Sequence, residues 1–575
     1  MTTLQPIRAQ RIFGPLGNAM DASLENRLKK FIVDADSEPL KLFTQEQREN
    51  SGSGDWYGEH VGKWLIAASQ ALIRTNDLEL RQNLERALAT LSAFQEPSGY
   101  LGTYALEAPC RFTSPIASSI RTWDIWIHAW MILGLIEVGK ALNEPEAIAM
   151  ACRIADLILS CVTPESLSKL GNHNGLSSLI IIEPFACLSI ETKDPRYAEF
   201  AKSALEIADT EGLNFLSFDP KTDDASTIGT GKIYQILWCL IGIVELANYF
   251  GNPRWIEQVE KIFANIAEFH LTPQGGPWGG IATHKEVFNP KGFFDPCGLV
   301  ETCSSATWIK LCRKLYEHTG KEKYLDHAET TLHNSILGAV SSDATNWIYF
   351  SFPNGRRNDT YYWACCKSSG AMALEEAALL MMHRNDDGIA IHGIAPFLAT
   401  DGQLQVSLAG EPSDKSWDLE VRGHSGKVRL RKPGWATLKV PTEAEAEYDL
   451  KSESWVFDCG TELIASIQFE IAIQVKTHMH TVEHHGQEIV RTDFATVSWG
   501  PYSFAFGLIE GVRKVETLLL PRLNPESIFS MTGKTPLQID LRIPGRKPIP
   551  MFPYYLAGGQ GDGNWRASWI QVAWQ

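Results

Sequence analysis

No run of about 18 or more consecutive apolar residues appears in the chain, so no membrane span is expected. The opening MTTLQPIRAQRIFGPLGNAM has neither an apolar signal core nor a cleavage site, and a cytoplasmic location is the expectation. There is no basic excess: 52 Lys and Arg stand against 68 Asp and Glu, a formal net charge of −16. Neither nucleic acid nor an anionic membrane is therefore an expected partner, since a polyanion releases no counterions on binding them. A phosphate loop of the G-x-x-x-x-G-K-[ST] type and a dinucleotide fingerprint are both missing, so no nucleotide cofactor is indicated. The 11 cysteines are odd in number and scattered, which argues against a disulfide framework and for reduced thiols. Cys152, Cys187 and Cys239 lie in apolar helical stretches and read as small buried hydrophobes.

What is present is a folded chain of 575 residues, 44% hydrophobic and 21% charged, long enough for several domains. Apolar residues recur at helical spacing in HVGKWLIAASQALI, WIHAWMILGLIEVGKAL, KIYQILWCLIGIVELANYF and SSATWIKLCRKLYEH. Each apolar helix ends in a short polar break followed by an amphipathic one. Pro145, Pro195 and Pro253 suit the first turn of the second helix, with Asn143, Asp194 and Asn252 as the caps before it. Five hairpins are visible, and the opening and closing helices supply a sixth. Hairpins of this kind in a ring make an (α/α)6 barrel; an open solenoid fits the same repeat. After Asp387 the pattern alternates apolar and polar residues between turns, as in LQVSLAG and LIASIQFEIAIQV, which predicts one or two β-sandwiches. The expected class is thus α plus β, multidomain: 1–20 joining the sandwich region, 21–386 forming the (α/α)6 barrel catalytic domain, and 387–575 forming the β-sandwich region.

The stretch TYYWACCKSSGAMALEEAALL places Cys365 beside Cys366 just before a helix. Adjacent cysteines form only a strained disulfide. Upstream, GLVETCSSATW carries Glu301 and Cys303 at a second loop-to-helix junction. Three thiols and a carboxylate make a tetrahedral Zn²⁺ donor set, although the spacing is not that of a zinc finger. Ordinary thiols remain the alternative at this stage.

DWYGEHVGKWLIAAS, FQEPSGYLGTY, WGGIATHKEVF, GLVETC, AETTLHNSILGAV, NWIYFSFP, WACCKSSG, VRLRKPGWA and WGPYSFAFGLIE, in this order, carry a further message. The chain resembles glycoside hydrolase family 127, whose type activity is β-L-arabinofuranosidase. The resemblance implies that Cys365 is the nucleophile and a zinc ligand, with Glu301, Cys303 and Cys366 as the other ligands. It places the general acid/base on Glu286 in THKEVF, with one residue fewer between His284 and Glu286 than is usual. It also implies that Glu329, Tyr349, His173 and His284 hold the sugar. The substrate is then a small carbohydrate; a homodimer is compatible with the resemblance.

The chemistry follows independently from such a site. Metal binding deprotonates a thiol. Three thiolates and a carboxylate over-neutralise a divalent ion, which keeps a sulfur electron-rich enough to attack an anomeric carbon. A closed structural site is the competing reading. Buried apolar neighbours, Val287, Phe288 and Trp278, are expected to raise the Glu286 carboxyl for acid catalysis. The chain departs from the family where a histidine is usual: Lys232 stands in GTGKIYQ and Trp123 in TWDIW. A lysine in the pocket favours an anionic or heavily hydroxylated sugar, and Trp123, Trp126 and Trp130 read either as a sugar-stacking wall or as helix packing. A β-L-arabinofuranosidase-like enzyme leads. The same chemistry on a different or acidic sugar, and a non-catalytic carbohydrate-binding protein with structural zinc, are the alternatives.

Overall fold

A computed structural model of the chain describes residues 4–51, 56–105, 123–281, 285–360, 364–439, 446–450, 452–508, 517–520 and 525–574. Among these, six helices close into a ring, each packed on the next and the last on the first: Glu59–Thr75, Asp124–Leu142, Ile182–Thr192, Ile233–Phe250, Thr302–Thr319 and Cys365–Leu379. An outer helix packs against each one: Leu78–Phe94, Pro145–Cys161, Pro195–Ala208, Pro253–Phe269, Lys323–Thr331 and, against the last, Gly14–Ser23. The ring is an (α/α)6 barrel, and the open solenoid is set aside.

The division into inner and outer helices follows from composition. Asp124–Leu142 and Ile233–Phe250 are apolar on nearly every side, as a helix surrounded by neighbours must be. Polar residues interrupt them, so they escape a search for unbroken apolar runs, yet by length and composition each is long and apolar enough to cross a membrane. Here most of each is buried in the protein. The outer helices are amphipathic, with one buried stripe.

The breaks are capped much as expected. Asp194 accepts from the Arg196 N–H and Asn252 from the Arg254 N–H. Asn143 departs from the expectation. A residue separates it from Pro145, so Glu144 is the N-cap, and Asn143 turns left-handed (φ 55°) to end the preceding helix. The first two inner helices cross unusually closely. A Cβ on Gly62 would stand 2.5 Å from the Trp130 backbone, and one on Gly134 would stand 2.8 Å from the Gly62 carbonyl oxygen. This glycine contact brings Glu59 and Lys63 against Trp126 and Trp130.

Two six-stranded sheets follow the barrel and share one core, with Val428, Leu430 and Phe457 from one and Leu419, Val421 and Ile467 from the other. The chain's opening contributes a strand to each: Gln5–Ile7 pairs with Met382–Asn385, and Ala9–Ile12 pairs with Phe397–Asp401. After the last inner helix, which ends at Leu379, the first strand of the sandwich region starts at Met382 rather than 387 and pairs at once with the opening strand. A further sheet of ten strands, within 354–574, has its own core around Val497, Phe504, Ile539, Met551 and Ile570. Its strand Trp565–Ala567 pairs with Asn354–Arg356, the loop that leads to the cysteine pair.

Arg431 locks the sandwich to the barrel. Its guanidinium donates to Glu329 Oε2 (2.7 Å), to Asp326 and to the His392 carbonyl (2.8 Å). Glu329 is 1% exposed, and burial pushes its carboxyl up to about 7 while Arg431 pulls the other way. Arg431→Met strands a buried carboxylate, and a loss of about 3–5 kcal/mol in unfolding free energy is expected by denaturant titration. An unchanged midpoint and slope would contradict this locking role.

Candidate active site

Both cysteine clusters sit at helix N-termini. Glu301 ends the strand Leu299–Glu301 and caps the helix Thr302–Thr319, so that Cys303 lies in its first turn. Cys365 and Cys366 open the adjacent inner helix, Cys365–Leu379. The partial positive charge of both helix ends favours thiolates there. The strand Leu299–Glu301 is central in a small sheet between Trp278–Gly279 and Phe350–Ser351, which fixes Glu301 beside Tyr349.

These elements bring Glu301, Cys303, Cys365 and Cys366 together, with one donor atom from each lying within 4.8 Å of all the others. Cys303 and Cys366 are buried with their sulfurs 3.4 Å apart, and no disulfide joins them. A buried set of three thiols and one carboxylate suits a soft divalent ion in tetrahedral coordination, so the residues fit the metal that the family resemblance implies. Burial pushes Cys303 and Cys366 up. Cys365 goes the other way: hydrogen bonds from the Cys303 and Cys366 thiols, with Lys63 and His60 nearby, hold it well below the usual thiol value. Cys365 also lines two cavities, and its sulfur lies 3.6 Å from the Tyr349 hydroxyl.

Two cavities meet at this point. The inner recess, about 160 Å³, is lined by Glu59, Trp123, Trp126, His173, Lys232 and Tyr234, among others. The outer compartment, about 610 Å³, is walled by Tyr57, His60, Phe350, Phe352 and Asp359. Trp56, Glu286, Tyr349 and Cys365 line both, and so stand at the junction.

Glu286 is positioned by its backbone. Its carbonyl accepts from the Ile233 N–H (3.1 Å), and the Phe288 N–H donates to the Gly231 carbonyl (2.9 Å). Val287, Phe288 and Trp278 are buried as expected. The carboxylate, however, forms an ion pair with Lys232, whose Nζ also stands 3.9 Å from Glu301 Oε2. Lys232 is therefore engaged by the protein's own carboxylates.

Most of the other residues expected here come together. Tyr349, His173 and Trp123 line the recess, with the His173 ring 6.4 Å from Trp123 and its Nδ1 3.2 Å from the Thr230 hydroxyl. His284 lies outside the described residues. Glu329 is a correction: it faces Arg431 in the barrel–sandwich joint and lines neither compartment, because the sandwich covers that turn of Lys323–Thr331. Trp126 belongs to the wall, but Trp130, one turn deeper, stacks on Tyr234 and packs against Trp238 in the core.

Sequence reasoning missed Glu59 and Lys63, four apart on the first inner helix. Glu59 is 2% exposed; the Trp126 indole N–H donates to its Oε2, and Lys63 Nζ lies 3.3 Å from the same oxygen. Burial pushes the Glu59 carboxyl up to about 7, against the pull of Lys63. Lys63 is wholly buried, over the faces of Trp130 and Tyr234 at 4.7 and 4.9 Å. Burial opposes its charge, but Glu59, Tyr234, Cys303 and Cys365 outweigh it and hold its pKa well above the ordinary value. The available signal was the four-residue spacing of Glu59 and Lys63 in GEHVGKW, which puts both side chains on one face of the helix.

The model for the β-L-arabinofuranosidase GH127 catalytic domain matches residues 16–378. A non-reducing end β-L-arabinofuranosidase of Bifidobacterium longum subsp. longum is 20% identical over 426 residues, 65% of this chain. The match spans 64% of that relative, less than two thirds of its length. A solved GH127 β-arabinofuranosidase superposes with a TM-score of 0.75 at 16% identity, over 99% of this chain and 98% of that one. A GH127 β-L-arabinofuranosidase from Geobacillus stearothermophilus T6 gives 0.71 at 14% identity over the whole of both chains. At these identities the superpositions establish a shared fold. The family itself is fixed by the match over residues 16–378, which encloses the Glu/Cys cluster: the chain belongs to the GH127 β-L-arabinofuranosidase family of glycoside hydrolases.

Proposed function

We propose that the chain is a retaining exo-glycosidase that releases a terminal β-L-arabinofuranose from small oligosaccharides or glycoconjugates, with Cys365 as nucleophile and Glu286 as acid/base. One observation carries this reading: both side chains stand where a small recess meets a larger compartment. A terminal sugar in the recess presents its anomeric carbon at the junction, and the aglycone occupies the outer space. Indole and phenol rings beside hydroxyl-binding groups suit a sugar's apolar faces and polar rim.

Zn²⁺ held by Glu301, Cys303, Cys365 and Cys366 would keep the thiols deprotonated and the Cys365 sulfur electron-rich. The sulfur attacks the anomeric carbon as the bond to the aglycone oxygen breaks, and Glu286 gives its proton to that departing oxygen. The sugar is then bonded to Cys365 through carbon and sulfur. Glu286, now ionised, takes a proton from water; the resulting hydroxyl attacks the same carbon, and Cys365 leaves as a thiolate. Two inversions give net retention. Lys232 directs the Glu286 carboxylate and offsets its charge while it is ionised, and the Tyr349 hydroxyl stands against the attacking sulfur.

A panel of 4-nitrophenyl furanosides and pyranosides tests this reading. The β-L-arabinofuranoside is expected to be hydrolysed fastest, with the β-anomer of the product appearing first by proton NMR. An inverted product, or no turnover of any furanoside, would contradict it.

A further inference from the structure

Resting on the glycosidase reading above, we propose that Glu59 is a sugar-binding residue of the inner recess, whose free Oε1 accepts hydrogen bonds from hydroxyls of a neutral terminal sugar, and that the recess thereby excludes sugar acids. The carboxylate lines the recess and is almost wholly buried. Its two oxygens are not equivalent. Oε2 is taken by the Trp126 indole N–H and by Lys63. Oε1 accepts from no described residue, yet is not among the sealed polar atoms of the interior. Oε1 is therefore open to the recess, where a ligand's donor can reach it. A sugar hydroxyl in the recess would supply the missing donor, and bonds to a charged acceptor are the stronger kind.

The side chain is also built to hold still. Trp126 and Lys63 pin it from one side, and the Lys63 ammonium itself packs 4.7 and 4.9 Å from the ring centroids of Trp130 and Tyr234. The close crossing at Gly62 and Gly134 fixes the two helices that carry these groups. A pinned acceptor loses little freedom when a ligand binds, which favours selective recognition of hydroxyls.

The charge of the recess decides the substrate class. Glu59, Glu286 and Glu301 all line it. The lysine that lines it, Lys232, pairs with Glu286 and leans toward Glu301. With Glu286 carrying the proton it donates and Glu301 turned to the metal site, a sugar carboxylate would meet the fixed Glu59 carboxylate, which selects against it. Lys232 therefore does not mark the enzyme for an anionic sugar.

The test uses the full-length zinc-loaded enzyme, with wild type, Glu59→Gln and Glu59→Ala assayed on 4-nitrophenyl β-L-arabinofuranoside and its 2-, 3- and 5-deoxy analogues. At least one analogue is expected to lose about 10- to 100-fold in kcat/KM with wild type. Glu59→Ala should lose a similar factor on the parent glycoside and nothing more on that analogue, and Glu59→Gln should lie between. Zinc content and melting temperature separate this coupling from a general loss of structure, which would lower all substrates alike. Equal losses for each analogue across the three proteins, or wild-type turnover of a 4-nitrophenyl uronide at the parent's rate, would overturn the proposal. Failure of wild type on the parent would overturn the glycosidase reading as well, so the two failures are distinct.

Discussion

Cys365→Ala is expected to lower kcat/KM on the arabinofuranoside by about 10⁴-fold or more, as removal of a nucleophile generally does. The expectation rests on the asymmetry among the clustered thiols. Cys303 and Cys366 are buried, face the donor cluster and are pushed up by burial. Cys365 faces both compartments, and its hydrogen-bonded neighbours hold it low. Its replacement should therefore remove chemistry with a smaller penalty to folding. Cys303→Ala and Cys366→Ala should lose more metal content and stability than Cys365→Ala along with activity, because each removes a fully buried ligand whereas Cys365 lies at the cavity wall. Measuring zinc and melting temperature beside kcat/KM separates the two patterns. If Cys365→Ala retained turnover within about tenfold of wild type, sulfur would not be the nucleophile.

The second large effect concerns the metal. Stripping it with a strong chelator is expected to abolish activity and to lower the melting temperature, with zinc restoring both and binding at about one ion per chain. The physical reason is the donor set: Glu301, Cys303 and Cys366 are all buried, and burial disfavours the charged form of each. An ion is what makes a cluster of buried anions tolerable. The stability readout matters because it reports the site even where no substrate is turned over. Unchanged melting and activity after complete removal of metal would mean that the cluster holds none.

The architecture was legible because its signals are local. Proline after a capping residue, repeated between apolar helices, announces helical hairpins wherever it occurs, and alternating residues after position 387 announce strands. The one misplaced cap, Asn143, shows the limit of that signal: an extra residue before Pro145 moved the capping role to Glu144. The donor cluster was legible for the same reason, since ETC and CC are short and each opens a helix. What the sequence hid depends on how distant elements meet. Glu329 reads like any helical carboxylate until Arg431, 102 residues later, is seen to claim it. Lys232 looked like a hand for an anionic sugar, yet Glu286 folds back onto it. Glu59 and Lys63 turn inward only because Gly62 lets two helices cross closely, which spacing along one helix does not reveal.

The central claim is that sugar becomes bonded to the Cys365 sulfur. Intact mass spectrometry after incubation with an L-arabinofuranose-based cysteine-reactive probe, followed by peptide mapping, tests it directly. The account predicts a single added sugar on the peptide bearing Cys365, lost in Cys365→Ala. A label on Glu286, or an active enzyme that carries none on Cys365, would contradict it.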